Sequence, residues 1–126
     1  FAPMSRGLMT ASVNVSELAT NDFRTRLPRY QGEYLDNNQK LAAAFAAYAH
    51  EKGATAAQLA IAWVIAQGDH IIPIPGTKRR KYLEENAAAV DLTLSHDDLA
   101  NIQAIVEQFP LTGPRYSSNE SKFLNK

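Results

Sequence analysis

The sequence predicts an α/β fold of the parallel type, mostly helical within this chain, with one buried strand held between helices. Three features carry that expectation. The run "HIIPIP" at residues 70–75 is short, continuous and apolar, as in a strand covered on both faces of a parallel sheet. Helical patterns flank it on both sides, and helix–strand–helix order implies parallel layering. One strand, or two if another ends near Phe1, cannot make such a sheet alone, so partner strands are expected from outside these residues.

The elements follow in order. Residues 1–10, "FAPMSRGLMT", form a short apolar lead that turns at Pro3 and Gly7. Residues 11–37 contain aromatics without a sustained period and read as a long loop with one short helical turn. In "NQKLAAAFAAYAHEKG", Leu41, Phe45 and Tyr48 fall at helical spacing, and Gly53 is placed as a C-terminal stop. In "TAAQLAIAWVIAQG", Thr55 and Gln58 form a capping box, each able to satisfy a backbone N–H that the helix start leaves free. This helix is apolar nearly all round from Leu59 to Ala66, so burial on more than one side is expected before Gly68 ends it. Pro73 lacks a donor and weakens the ladder towards the end of the strand. A helix is expected over roughly Arg79–Ala89, and another from Ser95, with Asp97 and Asp98 placed to favour its dipole. Leu99, Ile102, Ile105 and Phe109 give that last helix its apolar face. The tail, residues 110–126, is polar and irregular, with Tyr116, Phe123 and Leu124 expected to be partly ordered.

A length of 126 residues suits one domain-sized unit with a modest core, and 45% apolar with 21% charged residues suits a soluble protein. Thirteen basic and thirteen acidic residues cancel, which removes any global attraction for nucleic acid or an anionic membrane. Any anion site must therefore be local. The absence of cysteine excludes disulfides, thiolate metal ligands and a cysteine nucleophile. No histidine pair has metal-ligand spacing, and His50, His70 and His96 read as surface or rim residues. No apolar stretch approaches the ~20 residues that a membrane span needs. No signal peptide is read, so a cytoplasmic location is expected. The chain opens at Phe1, and an upstream portion is expected.

The chemistry concentrates in "IPIPGTKRRKYLEENAAA", residues 72–89. Gly76 allows close backbone approach, Thr77 brings a hydroxyl, and Lys78, Arg79, Arg80 and Lys81 then crowd the first turn of a helix. A helix N-terminus already carries partial positive charge, so cations there are unfavourable by a few tenths of a kcal/mol each or somewhat more. A bound phosphate reverses that sign through the dipole and the guanidinium forks. On chemistry alone the cluster fits a phosphate cradle and a solvated basic patch equally. Glu85 and Asn86 have the donors and acceptors to read an adenine edge, but alone they fit an ordinary solvent-facing pair better.

These residues carry a resemblance. "IPIPGTKRRKYLEENAAA" resembles the last barrel strand and following helix of the aldo-keto reductases, where the pattern is close to I-P-G-T/A-K/R…L-E-E-N. "FAPMSRGLM" is similar to the segment after the seventh strand, Y-S-P-L-G-R-G-L/F, and "TAAQLAIAWVIAQG" to the helix before the eighth, T-P-A-Q-L-A-L-A-W. Together the three cover nearly the whole chain in the right order. The resemblance implies the C-terminal part of a single (β/α)8 TIM barrel domain, from the end of strand seven onwards, with the site at the C-terminal ends of the strands. It implies an NADPH-dependent oxidoreductase reducing aldehydes or ketones to alcohols.

Carried over by position, the resemblance places Phe1 where an aromatic stacks on the nicotinamide. It places Pro3, Met4, Ser5, Arg6 and Gly7 in the loop over the pyrophosphate. Gly76, Thr77, Lys78 and Arg79 match the surroundings of the adenosine 2′-phosphate, and Glu85 and Asn86 the adenine contact. The cations favour NADPH over NADH, because a 2′-phosphate gives a guanidinium something to bind. The family's Tyr, Lys, Asp and His lie on the first half of the barrel, so no catalytic residue is expected here and these residues alone should not turn over substrate. Tyr48 reads as packing, and Tyr82 as packing beside Leu83. The expected partners are a small carbonyl substrate and the remainder of the same barrel, with neither nucleic acid nor membrane. An exposed strand edge leaves room for oligomerisation. Two other readings stand beside this one: a non-catalytic nucleotide-binding fragment, sensor or channel-associated subunit, and a helical module whose basic cluster meets an acidic partner.

Overall fold

The protein is described by a computed structural model covering residues 1–117 and 120–123. Among the described residues its frame is four α-helices: α1, Gly32–Glu51; α2, Ala56–Ile65; α3, Arg80–Ala87; and α4, His96–Gln108. Each end has a local cause. At the close of α1 the Gly53 N–H donates to His50 O (2.9 Å) and the Ala54 N–H to Ala49 O (2.9 Å), with Gly53 at φ 67°. That paired arrangement satisfies the last carbonyls and requires a left-handed residue, which glycine supplies without strain. The capping box at Thr55 forms as the sequence predicts, with Thr55 Oγ1 accepting from Gln58 N and Gln58 Oε1 accepting from Thr55 N. Ser95 and Asp98 make a second box at the start of α4.

The main core gathers Phe45 and Ala49 of α1, Leu59 and Ala60 of α2, and Ile102 of α4, with Met4 and Trp63 packed against it. Burial on several faces of α2 matches its nearly continuous apolar sequence: Leu59, Ala60, Ile61 and Ala62 are all buried. A smaller cluster of Leu8, Leu27 and Tyr30 holds the N-terminal segment against the following loop.

That loop is more ordered than the sequence suggests. Residues 11–31 carry 3-10 turns at Val15–Glu17, Phe23–Arg26 and Pro28–Tyr30, and α1 begins at Gly32, earlier than the Ala-rich pattern indicates. Asn14 and Asp22 start two of these turns by accepting from the N–H two residues ahead. Asp22 also takes a forked ion pair from Arg24 (2.7 Å at its shortest), which holds its carboxyl at about 2. The helix expected over Arg79–Ala89 is α3 followed by a 3-10 turn at Ala88–Asp91.

The expected strand at residues 70–75 is a correction. The segment has no ladder among the described residues: it opens in a turn, with the Ile71 N–H donating to Gly68 O (3.0 Å), and runs on as irregular backbone. Its burial still alternates: Ile72 and Ile74 are 81% and 62% exposed, whereas Ile71, Pro73 and Pro75 are half-buried. A ladder needs a neighbour, and none pairs with this segment among the described residues. No strand forms near Phe1 either. The tail folds back instead. Asn38 of α1, fully buried, donates to Arg29 O (3.1 Å) and Thr112 O (2.9 Å) and accepts from the Thr112 N–H (2.9 Å). Tyr116 is half-buried, while Leu124 lies outside the described residues. Among the described residues no helix is long and apolar enough to cross a membrane.

Candidate functional site

The first half of the site is built by an unusual turn. Ser5 and Arg6 sit at φ 48° and 60°, and Gly7 follows at φ 102°. Two non-glycine residues in the left-handed region cost energy, so surrounding contacts must hold them there. The Tyr30 hydroxyl supplies one, donating to Ser5 O (3.0 Å) and Arg6 O (3.1 Å). Burial pushes that hydroxyl's pKa up, which keeps it a donor. A Cβ at Gly7 would meet Val13 Cγ2 at 3.0 Å, so conformation and space both select glycine. Met4 turns inward onto the main core and anchors the segment.

Phe1, Pro3, Ser5 and Arg6 line a cleft of about 360 Å³ together with Arg29, Tyr30 and Arg115. Phe1 is 65% exposed, and the Arg115 guanidinium lies over its ring at 4.6 Å from the centroid. Arg115 also donates through Nη2 to Phe1 O at 2.9 Å.

The second half opens α3. Arg79 is the N-cap residue and makes no side-chain cap, and the first turn contains no acid. The Thr77 hydroxyl turns the chain into the helix, donating to Arg79 O and accepting from the Arg79 N–H. Lys78, Arg79, Arg80 and Lys81 are all exposed. Arg80 is diverted along the helix to Glu84 (2.7 Å), and Arg79 lies over the Tyr82 ring at 6.0 Å. A Cβ at Gly76 would meet nothing within 4 Å, and its φ is not left-handed, so the fold itself does not demand glycine there. An open glycine before an uncapped, cationic helix start is an arrangement that suits an anion.

Glu85 and Asn86 stand differently. Glu85 Oε1 accepts from the Thr55 hydroxyl (2.8 Å) and the Glu85 carbonyl accepts from Gln58 Nε2 (3.2 Å), which ties α3 to the cap of α2. Asn86 is buried at 7% exposure. The cleft therefore gathers the residues at the start of the chain, while Gly76, Thr77, Lys78, Arg79, Glu85 and Asn86 do not line it.

Sequence reasoning missed Arg29, Tyr30 and Arg115 as cleft residues. The density of arginine in "FRTRLPRY" was the available signal. It also missed a polar cluster between α1 and α4. Asp98 accepts from Tyr48 Oη (2.7 Å), Lys52 Nζ (2.9 Å) and the Ser95 N–H (2.8 Å). Lys52 foremost, then Ser95 and Tyr48, hold the Asp98 carboxyl well below the usual carboxylate range. Tyr48, which also packs on the core as its periodicity suggested, is shifted upwards by desolvation and by Asp98. A phenol made less acidic beside a fully engaged carboxylate is a clamp between helices and a poor proton donor. Among the described residues no three His, Cys, Asp or Glu side chains gather as metal ligands.

Residues 1–107 match the profile of the Aldo/keto reductase family. The Schizosaccharomyces pombe aldo-keto reductase yakc, whose name carries NADP(+), is 39% identical over 117 residues, covering 92% of this chain and 34% of that protein. An aldo-keto reductase of Glycine max is 36% identical over 98% of the chain and 36% of its own length. Aldo-keto reductase str7 of Strobilurus tenacellus is 32% identical over 91% and 34%. No solved structure matches the chain significantly. The chain spans about a third of the length of the curated relatives it matches. On the extent of the profile match and these relatives, the chain belongs to the aldo/keto reductase family.

Proposed function

We propose that this chain is the C-terminal part of an NADPH-dependent carbonyl reductase and supplies much of its grip on the dinucleotide. The observation that carries the reading is the start of α3. Lys78 and Arg79 stand beside an uncapped helix terminus and an open glycine, and no acid in the first turn neutralises them. A phosphomonoester satisfies the free N–H groups and the cations together. The NADP(+) in the name of the fission-yeast relative supports the same cofactor.

When bound, NADPH supplies the hydride that reduces an aldehyde or ketone to an alcohol. The residues here bind and orient it. Phe1 offers an exposed ring face for the nicotinamide, and the turn from Pro3 to Gly7 provides the pyrophosphate loop, with Arg6 adding charge. Thr77, Lys78 and Arg79 hold the 2′-phosphate. Glu85 and Asn86 fit their proposed adenine contact less directly, since Thr55 already engages one Glu85 oxygen and Asn86 is buried. The proton donor and its supporting groups lie outside these residues. The alternating exposure of residues 71–75 is compatible with a barrel strand, because Ile72 and Ile74 present an apolar row that a packed barrel interior or helix layer would cover.

The test uses the complete protein that carries this sequence. NADPH fluorescence should change on binding, and NADPH absorbance should fall when 4-nitrobenzaldehyde is added. Binding without aldehyde-dependent oxidation, across a panel of aldehydes and ketones, contradicts the reductase reading and leaves a nucleotide-binding protein.

A further inference from the structure

The strained turn near the start of the chain is anchored through sulfur. The sequence has no cysteine and two methionines, so Met4 and Met9 carry its only sulfur. They stand on either side of Ser5, Arg6 and Gly7, the three consecutive residues at positive φ. Both are half-buried and packed against the main core, whereas Leu8 goes into the smaller cluster beside Tyr30. The backbone closes on the same pair: Met4 O accepts from the Gly7 N–H (2.9 Å) and from the Met9 N–H (3.3 Å).

Oxidation acts directly on this anchor. A thioether is apolar and adapts to its surroundings, whereas a sulfoxide is polar and its oxygen needs a donor. The buried members of the main core, Phe45, Ala49, Ala56, Leu59, Ala60 and Ile102, have no side-chain donor to give. A sulfoxide is unfavourable among them and turns out to water, which removes packing that offsets the backbone strain. Half-burial leaves each methionine within reach of a small oxidant. The Tyr30 hydrogen bonds to Ser5 O and Arg6 O then hold the turn alone.

We propose that Met4 and Met9 are sites of reversible oxidation by hydrogen peroxide, and that their sulfoxides release the turn from Ser5 to Gly7. In each step the thioether sulfur attacks one peroxide oxygen and the O–O bond breaks. An S=O bond forms, and the other oxygen leaves as water with both protons. The sulfur gives up two electrons and the peroxide takes them. Reduction by a methionine sulfoxide reductase restores the thioether. The consequence for the cofactor is weaker binding, and it rests on reading this turn as the pyrophosphate loop. The sulfur switch itself does not.

The complete protein is treated with hydrogen peroxide, the peroxide is removed, and each sample is compared with its own untreated form. Tryptic cleavage after Arg6 puts Met4 and Met9 on different peptides, so mass spectrometry reads each sulfur separately. Amide exchange over residues 4–11 reads the turn, and fluorescence reads NADPH affinity. In the parent, both peptides should gain one oxygen. Loss of a packed apolar side chain predicts that exchange rises about tenfold or more and NADPH affinity falls by a similar factor. Methionine sulfoxide reductases should reverse all of these changes. In a variant with both Met4→Leu and Met9→Leu, which keep apolar volume, peroxide should change neither exchange nor affinity. If that variant folds poorly, Met4→Leu and Met9→Leu taken singly should each lose part of the response. Peptides that take up no oxygen at a peroxide dose that converts free methionine overturn the proposal. Oxidation with exchange within about twofold of the untreated parent also overturns it, as does an undiminished rise in the leucine variants. Exchange that responds as expected while NADPH affinity stays unchanged supports the switch, and it is then the pyrophosphate reading of the turn that fails.

Discussion

Replacing Asn38 with alanine should release the tail from the loop that carries Arg29. Asn38 is 0% exposed, and three backbone groups depend on it: Arg29 O, Thr112 O and the Thr112 N–H. A buried polar group left without a partner costs about 1–3 kcal/mol. The full sum for three groups is not reached, because the segment beyond Pro110 can swing towards water once it is released. The expected effect is therefore a loss of about 2–3 kcal/mol in the free energy of local opening, or roughly 30- to 150-fold faster amide exchange. Hydrogen exchange read by mass spectrometry on peptides spanning residues 110–117, in the complete protein, measures this directly. Asn38→Asp should do at least as much, since it turns a carboxylate towards two carbonyls. Exchange within about threefold of the parent in both variants refutes the clasp and removes the support for how Arg29 and Arg115 are positioned.

Other consequences are more local. Thr55→Val removes both the cap of α2 and the hydroxyl that Glu85 Oε1 accepts from, and should lower stability by about 1–2 kcal/mol; an unchanged denaturation midpoint contradicts it. The Asp22 carboxyl should titrate at about 2, not at its ordinary 3.8, when followed by carbon NMR. Because the folded value is depressed, the Arg24 pair contributes stability above the ordinary value and loses it as pH falls from 3.8 towards about 2. A midpoint near 3.8 shows that the forked pair does not persist in solution.

The helices were legible because their signals are local. Thr55 with Gln58, Ser95 with the acids that follow, and Gly53 after the last turn of α1 each act within a few residues. The strand expected at residues 70–75 does not form. Ile72 and Ile74 have the right residue type and alternating exposure, but a ladder depends on a paired neighbour, and none is found among the described residues. The cationic, uncapped opening of α3 was readable from the sequence, since it is a continuous stretch. The cleft was not. Asn38 reaches Thr112 across 74 residues, Arg29 reaches Gly113 across 84, and Tyr48 reaches Asp98 across 50. Such pairings leave no periodic trace, and a buried Asn or Tyr looks like any other residue on an Ala-rich helix. Glu85 shows the opposite difficulty: its motif position suggested a ligand, and its hydroxyl partner is Thr55 of the same chain.

Discrimination between NADPH and NADH by the complete protein tests the role of the α3 start most directly, read as the ratio of their dissociation constants in the parent and in Arg79→Met. If Lys78 and Arg79 hold the 2′-phosphate, the parent binds NADPH more tightly. The substitution should then weaken NADPH about tenfold or more while leaving NADH nearly unchanged. Equal affinities in the parent, or an equal loss for both nucleotides in the variant, contradict that role.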